Sequence, residues 1–150
     1  MKWLAVALAL LCAIPALAQG APKSAPANSS SAGPSTPMTP TPDDRAKQWL
    51  TLIDDANYAE AWKQAGSYLR DRTKADSFAQ KIRAVREPMG AMSSRTIKDV
   101  RVAKTLPGMR DGQYTVVRFD SAFAHKVAAV ETVTLVSENG GWSVIGYQIN

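Results

Sequence analysis

An Asn139-Gly140 pair, set between two runs of β-branched and aromatic residues, limits what this chain can become more than any other feature. Both residues tolerate the positive φ of a tight reversal, so residues 126–136 and 142–149 are predicted to form an antiparallel hairpin. A third run, 113–119 (Gln-Tyr-Thr-Val-Val-Arg-Phe), has the same character and joins the sheet upstream of them. The size of the reversal sets the register. A two-residue turn places Gln148 opposite Glu131, and a three-residue bulged turn places Tyr147 there. A slip of one residue would turn every neighbour to the other face.

The opposite end of the chain is built differently. Met1-Lys2 gives a short positive start, residues 3–14 are apolar throughout, and Ala16-Leu-Ala18 supplies the small-residue pattern of a cleavage site. Residues 1–18 therefore read as a signal peptide cut after Ala18, with an apolar run short of the ~20 residues that cross a bilayer. A lipoprotein reading at Cys12 fails because Leu11 before it is not small. The expected location is periplasmic or secreted, with no integral membrane segment once the leader is removed. Cys12 is the only cysteine, so the mature chain is expected to lack disulfides and thiol nucleophiles and to depend on core packing.

Residues 19–42 are rich in Ala, Ser, Thr and Pro, with prolines at 22, 26, 34, 37, 40 and 42. Such a stretch has too little apolar area to offset chain entropy and reads as a disordered tether. Pro37-Met-Thr-Pro40 fits a PxxP pattern, but plain linker is the simpler reading.

Residues 43–150 form the expected folded domain. Asp43 or Asp44 is the natural cap of a first helix in which Trp49, Leu52, Ile53 and Ala56 share a face, ending near Asn57. Tyr58, Trp62, Ala65 and Leu69 line a second helix, which follows so closely that a sharp corner is required. Thr73-Lys-Ala-Asp76 resembles a capping box, and Phe78, Ile82 and Val85 form a third stripe that stops before Pro88. Residues 95–104 then alternate as a first strand, with Val100 and Val102 on one side and Ile97 and Ala103 on the other. A loop at 106–112 carries Pro107-Gly108 and Asp111-Gly112. Three helices followed by four antiparallel strands is an α+β arrangement, with the helices on one face of a curved β-meander.

Several of these residues carry a family likeness. Trp49 to Tyr58, Trp62, Arg86-Glu-Pro-Met-Gly90, Ser94-Arg95, Leu106-Pro-Gly108, Asp111-Gly-Gln-Tyr114, Phe119 to Lys126, Glu131-Thr-Val-Thr-Leu135 and Gly141-Trp142 to Gly146-Tyr147 follow one another in an order that resembles the bacterial domain of unknown function 4019 family. The element order is also similar to cone-shaped folds of the NTF2-like and cystatin-like kind, although the short hairpin many of them carry between helices two and three is not evident. The resemblance implies an envelope protein and supplies no mechanism.

Cone folds of this kind can host isomerase or dehydratase chemistry, which needs a carboxylate or histidine of shifted pKa in the pocket under the helices. Candidates are few. His125 is the only histidine; it falls in a strand-connecting turn and reads as an exposed turn residue. Glu131 shares parity with Val127, Ala129, Val133 and Leu135, so it stands at a pocket mouth, meets a cation, or faces water with the opposite sheet face buried. Arg95, Arg118 and Tyr114 are its candidate partners, and Tyr147 is a candidate pocket cap. A paired, structural Glu131 is preferred over a catalytic one, because no second acid has matched spacing. Trp49 and Trp62 read as core, and Trp142 as an anchor at the start of a strand.

Charge adds one more lead. Of 18 Lys and Arg residues, 16 remain in the domain against 13 Asp and Glu. Eight cations lie between Lys81 and Arg110 against Glu87 and Asp99, either as a solvated surface or as a basic face for an anionic partner. Interleaved aromatics of a strand-binding platform are missing there, so nucleic acid is not an expected partner. No cofactor is expected and no metal site is indicated.

Two functions follow. The first is an exported, non-catalytic binding or interaction module, monomeric or homodimeric, that holds an unknown envelope partner or small ligand with the sheet concavity or the Arg86/Arg95 region. The second is a small-pocket enzyme using Glu131 as acid or base.

Overall fold

The computed structural model describes residues 39–150, so the expected leader and most of the tether lie outside the described residues. Four helices come first: α1 (Pro42–Asp54), α2 (Tyr58–Lys63), α3 (Ser67–Arg72) and α4 (Ala75–Arg86), with a 3-10 turn at Glu87–Met89. Four strands follow: β1 (Met92–Ala103), β2 (Tyr114–Phe123), β3 (Lys126–Glu138) and β4 (Gly141–Ile149). They form one antiparallel meander in the order β1-β2-β3-β4. The α+β class and the position of the helices on one sheet face stand as read from the sequence. Among the described residues no helix is long and apolar enough to cross a membrane.

Helix details differ from expectation in ways the local chemistry explains. Thr41, not Asp43 or Asp44, caps α1: its Oγ1 accepts from the Asp44 amide at 3.3 Å, and Pro42 occupies the first turn, where its missing N–H costs nothing. The two aspartates fall inside that turn instead, where negative charge suits the helix dipole. The sharp corner before α2 is taken by Ala56 at φ 55°. The expected second helix is divided in two. Near Gly66 the chain presses against β4, the Gly66 amide donates to Val144 O at 2.7 Å, and a Cβ there would stand 2.8 Å from Ile145 Cγ2. Thr73 does not cap α4, which starts after Lys74 without a side-chain cap; the Thr73 carbonyl instead accepts from Trp62 Nε1 at 2.6 Å.

The hairpin turn holds two residues, Asn139 (φ 51°) and Gly140 (φ 77°), with Glu138 paired to Gly141. Neither expected register survives further along. A bulge at Thr134/Leu135, where Leu135 meets Val144 and Thr134 meets Gly146, leaves Ile145 extra and puts Ile149 opposite Glu131. A second bulge, between Ile97 and Asp99, places Ile97 opposite Phe119 and Val100 opposite Val117. Ile97 therefore shares a face with Val100 and Val102, contrary to the simple alternation.

α1 lies across β2, β3 and β4. Trp49, Leu50 and Ile53 from α1 meet Val117, Phe119, Val133, Leu135 and Val144 in the core. Trp49 is fully buried; its Nε1 donates to Ala61 O at 2.8 Å, and its ring packs on Phe78 and Tyr147. Trp62 and Trp142 are only partly buried at the margin of this core.

Candidate functional site: a buried ion cluster

Glu131 is the most informative polar group in the sheet. Its Cα partner on β2 is Phe119, so it points to the face covered by helices and is completely buried. A carboxylate in that position requires donors on both oxygens. It has them. Arg95 Nε and Ser121 Oγ each donate to Oε2 at 2.6 Å, and Tyr147 Oη donates to Oε1 at 2.7 Å. Arg86 Nη1 lies 4.0 Å from Oε1.

A second carboxylate closes the cluster. Asp54, at the C-terminus of α1, accepts from Arg86 Nη2 at 2.6 Å and from Arg95 Nη1 and Nη2 at 2.7 and 3.0 Å. Arg95 thus joins helix α1 to strand β3 through β1. Arg86 is itself buried, with its guanidinium carbon 4.2 Å from the centre of the Phe123 ring. That contact satisfies part of the cation, while its Nε and Nη1 have no hydrogen-bond partner. A cleft of about 190 Å³, lined by Asp54, Tyr58, Arg86 and Gly90 among others, reaches the Asp54 side of the cluster.

The charge states follow from these contacts. Burial pushes the Glu131 carboxyl up, but donors from Arg95, Ser121 and Tyr147 outweigh it and hold the group below the usual carboxylate range. Burial and the adjacent Glu131 charge push the Tyr147 hydroxyl well above its ordinary value. Burial works against the Arg95 cation, yet its bonds to Asp54 and Glu131 raise its pKa further. Glu131 and Arg95 are therefore held in their charged forms at neutral pH, with Tyr147 as a neutral donor.

Arg86, Arg95, Glu131 and Tyr147, four of the six site residues expected from the sequence, come together here. Arg118 does not: it is paired with Thr132 on the opposite sheet face, where its Nε donates to Asp99 at 2.7 Å. Tyr114 is at the far end of β2, opposite Val136, and its hydroxyl donates to Arg110 O at 2.6 Å. Neither is a partner of Glu131. Two members were not anticipated, Asp54 and Ser121. Ser121 was legible from its alternation with Phe119 and Phe123. Asp54 carried a weaker signal, an acid in the last turn of a helix, where the dipole opposes it.

The other candidates disperse. His125 is an exposed turn residue with Nδ1 3.3 Å from Pro88 O. Of the cations between Lys81 and Arg110, Arg86 and Arg95 turn inward, Arg83 lies 3.4 Å from Glu87, Lys98 2.8 Å from Asp120 and Arg101 3.4 Å from Asp99. This pairing breaks up the basic face. Among the described residues no three His, Cys, Asp or Glu side chains converge as a metal site would require. Open concave surface is found elsewhere, in a groove of about 530 Å³ between α4 and β4, floored by Phe78, Ile82, Ile145 and Tyr147 and edged by Lys81 and Val85.

Residues 45–147 match the family described as protein of unknown function, DUF4019. The chain is also similar to a solved crystal structure from Campylobacter jejuni, described as NTF2-like with a provisional transpeptidase assignment. Identity there is 17%, the TM-score is 0.47, and the match covers 70% of this chain and 97% of that one. No curated protein matches the chain.

Proposed function

The chain belongs to the DUF4019 family, and from that premise we propose that it is an exported, non-catalytic binding module whose ion cluster is a structural clamp. The observation that carries this reading is Glu131, which is buried and engaged on both oxygens by the protein's own donors. A general acid or base must reach a proton on its substrate, and a carboxylate held this way has no free direction from which to do so. Isomerase or dehydratase chemistry at Glu131 is accordingly the weaker reading. Export to the periplasm or beyond is supported by the charged start, apolar run and Ala16-x-Ala18 pattern of the first 18 residues.

In the expected Arg86/Arg95 region both cations are turned inward onto Asp54 and Glu131, and the binding face in this reading is the groove between α4 and β4. Its size falls in the range of ligand pockets, ~300–1,000 Å³, and its apolar floor with a cation at the rim suits a partly apolar, anionic ligand or segment. The test is titration with the fluorescent anion 1-anilinonaphthalene-8-sulfonate. Wild type is expected to bind it, Val85→Glu to bind it several-fold more weakly, and Val85→Ala to stay near wild type. Equal binding by wild type and Val85→Glu would remove the groove from the reading.

A further inference from the structure

The edge strand β1 leaves an apolar stripe uncovered. The helices lie over β2, β3 and β4, and the bulge after Ile97 gathers Ile97, Val100 and Val102 on one face, where they are 40%, 45% and 77% exposed. The strand is 12 residues long and, among the described residues, has no neighbour on its outer side. A long edge with exposed apolar side chains is a template for another strand unless something blocks it. Lys98 and Arg101 oppose an arbitrary partner. They do not oppose a second copy in one particular register, because Asp99 and Arg101 flank Val100 symmetrically.

We infer that β1 is an interface between two copies of this chain, paired antiparallel about a two-fold axis at Val100. A two-fold contact is self-complementary: if residue i meets j, then j meets i. Centred on Val100, the pairing sets valine against valine and each Asp99 against the Arg101 of the other copy, so the blocking cation becomes the register lock. Registers centred on Lys98, Asp99 or Arg101 would each set a charge against its own like. Arg118 holds the Asp99 Oδ2, whereas Oδ1 is shielded within its own chain, has no hydrogen-bond partner and lies 3.4 Å from Arg101 Nε of the same copy, so the contact across the axis exchanges that arginine for the other copy's. The apolar stripes of the two copies then run on into each other across the joined edge.

The register makes the test sharp. Full-length chain carrying Cys12→Ser is compared with the same chain carrying, in addition, Arg101→Asp, Val100→Cys or Val102→Cys. Sedimentation equilibrium is expected to give twice the chain mass for the parent and one chain mass for Arg101→Asp, a change at an exposed side chain that leaves the fold intact. Paired residues in an antiparallel ladder have Cα atoms ~4.5–5.5 Å apart, inside the disulfide range. Val100→Cys is therefore expected to form a covalent dimer on mild oxidation. The two copies of residue 102 would be four residues out of register, about 13 Å apart, so Val102→Cys is expected to stay unlinked. A single-chain mass for the parent, a dimer that persists in Arg101→Asp, or linking at 102 rather than 100 would each overturn the inference.

Discussion

Tyr147 donates a 2.7 Å hydrogen bond to Glu131 although the residue paired with Glu131 across the sheet is Ile149. Tyr147 is paired with Val133, so it reaches Glu131 along the diagonal, a distance that an aromatic side chain spans. The bulge at Ile145 makes this possible, because it shifts β4 by one residue and returns Tyr147 to the helix-covered face. A turn, a bulge and one hydroxyl thus fix where a buried charge finds its donor.

Removing that hydroxyl isolates its contribution. Tyr147→Phe keeps the ring against Trp49 and deletes one donor to a buried charge, which is expected to lower stability by about 1.5–3 kcal/mol. Urea denaturation monitored by tryptophan fluorescence measures it. A loss within error of zero would mean that Arg95 and Ser121 satisfy Glu131 unaided.

Acid should dismantle the cluster. Glu131 titrates lower in the folded chain than in the unfolded one, where an ordinary glutamate sits near ~4.3. Its stabilisation is complete above that value and is lost as pH falls through the lower folded value. Tyr147 is raised, so its contribution is present below the ordinary tyrosine value of about 10 and is lost at higher pH. The stability difference between wild type and Glu131→Gln is therefore expected to shrink on acidification below about pH 4, as followed by denaturation at a series of pH values. A difference that stays constant to pH 2 would contradict the ionised pair.

The hairpin turn offers a control away from the cluster. Gly140 has φ 77° with open space around it, so Gly140→Ala adds backbone strain and no clash. The expected loss is about 1–2 kcal/mol, with the acid response unchanged. A neutral result would show that the turn relaxes easily.

The strands and the turn were legible in the sequence because Asn139-Gly140 and the β-branched runs encode local geometry. Bulges at Ile145 and after Ile97 were not, since one extra residue within a strand leaves no mark in a simple alternation, and both changed which residues share a face. Gly66 shows the same limit among the helices: the stripe from Tyr58 to Leu69 is continuous, but β4 presses on the chain there and divides it. Glu131 and Arg95 could be matched from parity and charge. Asp54 could not, because its role depends on where the end of α1 meets β1, which no local pattern encodes.

The central claim is that Glu131 clamps the fold and performs no chemistry, and urea unfolding of Glu131→Gln at neutral pH tests it most directly. Leaving Arg95 and Arg86 with one buried counter-charge fewer is expected to cost about 3 kcal/mol. Stability equal to or above that of wild type would contradict the clamp and return Glu131 to the list of candidate acids.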